Sequence, residues 1–458
     1  MPSLRAAAAP LATALTMPKF LYLSPSFPPQ SRVGALRPLK FCRHLPALGW
    51  QAVVLCDLHE SDAIDVTLSD ALPAEVTVVR DWSRTARRNE AAVARGELPR
   101  PTHDAGGKPV VRRPSGLKRL LSRMLLHTSH SLSFLRPSPE WVPLGEHSVE
   151  IPYALRASRR LMRKHTFDAI VVNADPHAAL LVGAQLSRES GIPLVLDLRD
   201  PWSVCELRRS ERPWPQRRLV DALERRCVAQ ASAVILNTET TRRDYLTHYA
   251  DQPAAKFHVI RNHGDAALIA NGNFTRDPRY TALFLGNFRR HVEGDELLEA
   301  LALLKARGID ETRFHLVVTG RVPAEARAYA EKLGVAAMLT EGAFVPYRQV
   351  GSFMATADLL VALNNRTVQR VPAKVYDYLV SPRPMLVVAD NPELGEMLAP
   401  LPYAELRSLD DITGIAAAMA EAFALGTGFA VDRTEAGYDS ATASAKLAAI
   451  LSSVRRPQ

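Results

Sequence analysis

The sequence predicts an α/β protein built from two Rossmann-like parallel-sheet domains that face a cleft. Three observations predict it. At 458 residues and 47% hydrophobic content the chain exceeds what one ordinary core uses. Short apolar runs alternate with segments of helical periodicity along nearly its whole length. A polar stretch at 262–279 (NHGDAALIANGNFTRDPR) divides this series in two, as an interdomain linker does.

The first series opens with 19–24 (KFLYLS), a short buried strand. After the loop PSFPPQSRVG, Leu36, Leu39, Leu45 and Leu48 recur at helical spacing, Pro46 frays the end and Gly49 closes it. Strands follow at 52–56 and 76–79. Beyond an interruption come a basic helix at 156–164, a strand at 169–173 and a helix at 178–189 stopped by Gly191 and Pro193. The strand 194–197 runs into the loop LRDPWS. A helix at 219–229, a strand at 233–237, a helix capped by Thr238 or Thr240 and a strand at 258–261 complete the series. The second series places strands at 281–285, 314–319, 343–345, 357–363 and 385–388. Its helices fall at 295–307, 324–332, 372–379, 392–398, 411–425 and 439–454. The expected domains are 18–262, 280–425 and a tail, 426–458, whose helix packs back across the hinge. The Ala-rich opening, with Pro10 in a short apolar run, reads as a disordered tail or as a misplaced start with Met17 the true beginning, in preference to a targeting segment.

The net charge of +9 is local: residues 82–130 hold eleven Lys and Arg against three acids. A basic insertion at 82–135 therefore interrupts the first domain, which argues against a nucleic-acid partner, whose footprint spreads over a folded face. To about 114 it is polar and reads as a loop. At 115–134, Leu117, Leu120, Leu121, Met124, Leu125 and Phe134 interleave with Lys118, Arg119 and Arg123. That pattern is an amphipathic basic helix, docked either on its own domain or on an anionic membrane surface. No apolar run of 18 residues predicts a membrane span. Cys42, Cys56, Cys205 and Cys227 lack metal-site spacing and read as reduced thiols of a cytoplasmic protein.

Four constellations sit where open α/β sheets place ligands, at the carboxyl ends of strands. Gly34 ends the first strand–loop and lets a backbone approach a phosphate, or serves a turn only. In DLRDPWS (197–203), Asp197, Arg199 and Asp200 cluster with Trp202 as a pocket wall or as a surface ion-pair loop; His177, in the turn after 169–173, faces the same place or is structural. GNFRRH (286–291) sets Gly286, Arg289 and Arg290 between a strand and a helix, fit for a pyrophosphate or for solvent. In VPAKVYDYL (371–379), Lys374 and Asp377 share a helix face: a cation for phosphate and a carboxylate for ribose hydroxyls, or a plain i,i+3 pair.

Taken in order, these stretches resemble the family-4 retaining glycosyltransferases of GT-B fold, in the branch that builds bacterial surface polysaccharides. PSPEWVP (137–143), FDAIVVNADPH (167–177), IPLVLDLRDPW (192–202), ALFLGNF (282–288) and VPAKVYDYLVSPRPMLVV (371–388) carry the resemblance, which spans about 19–400. It implies an amino-terminal acceptor domain and a carboxy-terminal domain for a nucleotide-sugar donor. Gly34 would approach the donor diphosphate, Asp200 and His177 would line the reacting centre, and Asp377 would hold the ribose beside Lys374. No metal and no cofactor are implied, because helix termini and basic side chains balance the leaving diphosphate. The acceptor would be a glycan or a lipid-linked glycan, on the inner face of the plasma membrane. The sequence departs from the family at Gln369 and Asp377, where a pair of glutamates is usual, at Asn287 and Glu293, where basic residues are, and at Pro382 in place of glycine. Those departures support an alternative, a non-catalytic GT-B binding module; a GT-B epimerase is the other.

Overall fold

Strands too short and too apolar to face water on either side are characteristic of sheets sandwiched between helices, and the inner strands of the computed structural model are of this kind, while its sheet edges are partly exposed. It describes residues 17–59, 63–97, 149–174, 176–205, 209–210, 212–288, 294–364 and 370–455, with residue 434 described by its backbone alone. The first sheet contains β1 (Lys19–Leu23), β2 (Gln51–Cys56), β3 (Thr77–Arg80), β4 (Ala169–Asn173), β5 (Leu194–Leu198), β6 (Ala233–Leu236) and β7 (Phe257–Val259). The second contains β8 (Tyr280–Phe284), β9 (Phe314–Val318), β10 (Leu339–Glu341), β11 (Leu359–Asn364), β12 (Met385–Ala389) and β13 (Ala404–Arg407). Their orders are β3-β2-β1-β4-β5-β6-β7 and β10-β9-β8-β11-β12-β13, with every pairing parallel. In each sheet the order reverses beside the first strand, and the crevice at that reversal is where such sheets bind ligands.

Apolar layers cover both faces of each sheet. On the first, Leu21, Ile170 and Leu196 face one layer, and Phe20, Tyr22 and Val171 the other. The second layer is closed by the last helix of the chain, Ser440–Val454, whose Leu447, Ile450 and Leu451 pack with Phe20 and Trp50. Arg455 then bonds Asp168 at 2.8 Å. The carboxy terminus therefore completes the core of the amino-terminal sheet.

Several elements differ from the sequence reading. The segment read as a polar loop begins with a helix, Ala86–Ala94, whose Ala86, Asn89 and Ala92 are buried. The helix expected at 219–229 starts earlier, at Trp214, with Pro215 in its first turn, where a missing N–H costs nothing. The strand expected at 343–345 lies at Leu339–Glu341, and β13 was not expected. The stretch read as a polar linker is anchored: Asp265 caps the helix Ala266–Ile269, and Leu268 and Ile269 are buried against the second domain. A Cβ at Gly264 would stand 2.4 Å from the Tyr376 carbonyl oxygen, so the hinge passes the second domain at a distance only glycine permits. The amphipathic segment 115–134 and PSPEWVP lie outside the described residues.

Candidate active site in the interdomain cleft

The amino-terminal wall is assembled by side chains that tie three loops together. Gly34 lies in the first turn of the helix Val33–His44, and Asn173 at the end of β4 donates from Nδ2 to its carbonyl (3.3 Å) and to Ser24 Oγ (3.1 Å). His177, at the start of the helix Ala178–Ser190, stacks on Trp202 with centroids 5.4 Å apart and planes 11° apart. Its Nε2 lies 3.2 Å from the Asp200 carbonyl oxygen, a bond the Nε2-protonated tautomer donates. The loop is held from behind by the buried Glu224, which accepts from the Ser203 amide (2.9 Å) and from the Tyr249 and Tyr245 hydroxyls. Burial and then the Glu224 charge push the Tyr245 hydroxyl well above its usual range, so it stays a donor.

Asp197 and Asp200, three residues apart, have different fates. Asp197 is buried and takes both ends of the Arg37 guanidinium at 2.8–3.1 Å. Arg37 also donates to the carbonyls of Ile260 (2.8 Å) and Arg261 (2.9 Å). Burial opposes the Arg37 charge, but Asp197 outweighs it and holds its pKa above the usual arginine value. This pair joins helix, β5 and hinge as a strut. Asp200 instead faces the cleft, 3.4 Å from Arg199 and 3.5 Å from Arg370 of the other domain.

The carboxy-terminal wall forms after β8 and β11. Gly286 has a φ of +132°, a conformation that disfavours side chains, and a Cβ there would stand 3.5 Å from Lys374 Nζ. Lys374 Nζ lies 3.9 Å from the centre of the Phe284 ring. Asn287, at a position where the family resemblance leads one to expect a base, is used for bracing: its Oδ1 accepts from the Arg321 amide at 2.7 Å. Arg289 and Arg290 lie outside the described residues. Asp377 is buried; its Oδ1 accepts from Lys40 Nζ (3.2 Å), on the amino-terminal domain, and from Tyr347 (2.9 Å). Burial and then Asp377 raise the Tyr347 hydroxyl well above its usual range, so it holds its proton for that bond.

The structure thus brings Gly286 and Lys374 together, and His177 and Asp200 together. It joins Asp200 and Asp377 to cations of the opposite domain. Residues 129–267 match the model of Glycosyltransferase Family 4. The chain carries a Glycosyltransferase Family 4 segment on a GT-B frame. The match of that segment makes it a glycosyltransferase, and the frame gives its fold. The frame is shared with a UDP-forming α,α-trehalose-phosphate synthase of Burkholderia xenovorans at 13% identity, over 96% of this chain and 99% of that one, with a TM-score of 0.56. It is shared with WaaG, a glycosyltransferase involved in lipopolysaccharide biosynthesis (14%, 94% and 99%, TM-score 0.52). The lipopolysaccharide outer core galactosyltransferase WaaB is similar too (11%, 95% and 99%, TM-score 0.52). No curated protein sequence matches this glycosyltransferase.

Sequence reasoning missed Lys40, Tyr347, Arg370 and Glu224. Lys40 follows Arg37 by three on one helix, the single signal that could have pointed to a polar face there. The others meet their partners only through the tertiary fold.

Proposed function

We propose that this glycosyltransferase moves a hexosyl group from a nucleotide sugar to a glycan or lipid-linked acceptor of a surface polysaccharide, with retention of configuration. The observation that supports it most is the placement of Lys374 Nζ beside Gly286 at the strand ends of the second domain. An ammonium next to a turn that carries no side chain suits a diphosphate. Asp377, on the same helix, holds the ribose, and the Gly34 turn approaches from the other domain. The acceptor hydroxyl forms its bond to the sugar C1 as the bond from C1 to the diphosphate breaks, and the nucleoside diphosphate leaves with the electron pair and takes up the hydroxyl proton on its departing oxygen. His177 and Asp200, fixed on the first domain, line the acceptor side. Arg289 and Arg290 add charge at the diphosphate, which is balanced without a metal at that point.

Among the described residues no helix is long and apolar enough to cross a membrane. The exposed basic residues Arg156, Arg163 and Lys164 on the helix Ile151–Lys164 support a cytoplasmic enzyme that meets anionic lipid, together with residues 115–134.

The test is thermal denaturation with UDP, GDP, ADP and their common sugars, for wild type, Asp377→Ala and Lys374→Ala. One nucleotide should stabilise the wild type, and both variants should lose that response. No response to any nucleotide favours the non-catalytic module. Binding with a rearranged donor as the sole product favours the epimerase.

A further inference from the structure

Three ligating side chains meet beyond the carboxyl end of β2, apart from the reacting centre. Asp57 and His59 follow that strand, and Glu150 immediately precedes the helix Ile151–Lys164. One donor atom from each lies within 4.8 Å of the others. His59 Nε2 is 3.4 Å from Asp57 Oδ2 and 3.5 Å from Glu150 Oε1.

The second oxygen of each carboxylate is tied back. Asp57 Oδ1 accepts from the Leu58 amide and the Ser83 hydroxyl, each at 2.7 Å. Glu150 Oε2 accepts from the Trp82 indole N–H at 3.1 Å. Such outer bonds orient the inner oxygens, as outer partners orient metal ligands. Asp57 is 1% exposed, and its inner oxygen has no hydrogen-bond partner among the described residues. A cation at that oxygen would offset the cost of burying it.

The distances favour an ion over a proton. A charge-assisted N–H···O bond spans about 2.7–2.9 Å, and one proton on Nε2 cannot point along two directions. Metal bonds of about 2.0–2.1 Å to tetrahedral ligands instead set ligand atoms about 3.4 Å apart. We infer that Asp57 Oδ2, His59 Nε2 and Glu150 Oε1 bind a divalent transition-metal ion of the zinc class. Two carboxylates with an imidazole suit that class. The His59 side chain is 30% exposed, which leaves a route of entry. The site adjoins the loop after β1, since Gln30 Nε2 donates to the Asp57 carbonyl at 3.2 Å. The ion would therefore place positive charge along the acceptor-facing edge of the first sheet, whatever the donor proves to be.

The experiment is calorimetric titration of the chelator-treated full-length protein with Zn2+, paired with Co2+ absorption. One equivalent of Zn2+ should bind, and Co2+ should give visible d–d bands without a thiolate charge-transfer band. His59→Ala and Glu150→Gln should each weaken binding by at least the roughly 10- to 100-fold that loss of an outer partner costs, with circular dichroism confirming that both remain folded. Absence of saturable binding, a thiolate band, or unchanged binding in both variants overturns the site. So does a His59→Ala protein that loses thermal stability while taking up Zn2+ like the wild type, since His59 would then be a bridging imidazolium.

Discussion

At the residue scale, the cost of a charge depends on whether water can reach it. Asp197 has exchanged water for Arg37, so Arg37→Ala leaves a carboxylate buried and unpaired. A loss of about 3–5 kcal/mol is expected in chemical denaturation, while Asp200→Ala, at a partly open position, should leave stability near wild type and reduce transfer. His263 behaves oppositely. It is buried at the hinge, and burial, then the Arg37 and Lys40 charges, hold its pKa well below the usual value. The unfolded chain therefore takes up this proton near pH 6.5 while the folded chain does not. The stability His263 contributes is present above that pH and is lost as pH falls below it. Thermal denaturation from pH 8 to pH 5 should show a flatter acid limb for His263→Gln than for wild type.

At the scale of elements, helix ends and loops are held by carboxylates that come from elsewhere. Glu393, fully buried in the second domain, accepts from the Glu239 and Thr240 amides at 3.0 Å each, and from Arg261. It thus satisfies the open N–H groups of the helix Glu239–His248 in the first domain. Glu393→Ala is expected to cost about 2–3 kcal/mol by equilibrium unfolding, and Glu393→Gln less. Glu224 does the same for the loop of Trp202. These roles explain where local reading stopped. The strand after β12 was missed because YAELR is polar and half-buried, without the apolar run that marked the others. The helix Ala86–Ala94 was missed because its charges looked like a solvated loop, although one face is buried.

At the scale of the whole molecule, two connections join the domains in different ways. The last helix returns to the amino-terminal sheet, so Leu451→Ala should cost about 2–5 kcal/mol although the residue lies far along the chain from that domain. The Lys40–Asp377 pair spans the cleft over a separation of 337 residues. Lys40→Met is expected to loosen closure, read as a larger radius of gyration in small-angle scattering. Added nucleotide should reverse that increase if Asp377 receives the ribose.

Apolar runs of about five residues, each followed by a loop and a periodic helix, determined by themselves that this chain forms two parallel sheets, because such runs can be buried only between helices. Gly286 and Lys374 were likewise legible as candidate ligand contacts, since strand ends and their loops are local in sequence. The tertiary structure alone decided which of two nearby aspartates faces the cleft and which partner Asp377 holds. It alone set Asp57 and His59 against Glu150. Each of those outcomes depends on contacts between segments far apart in the chain, and only a completed fold fixes the burial that sets the energy of a charge.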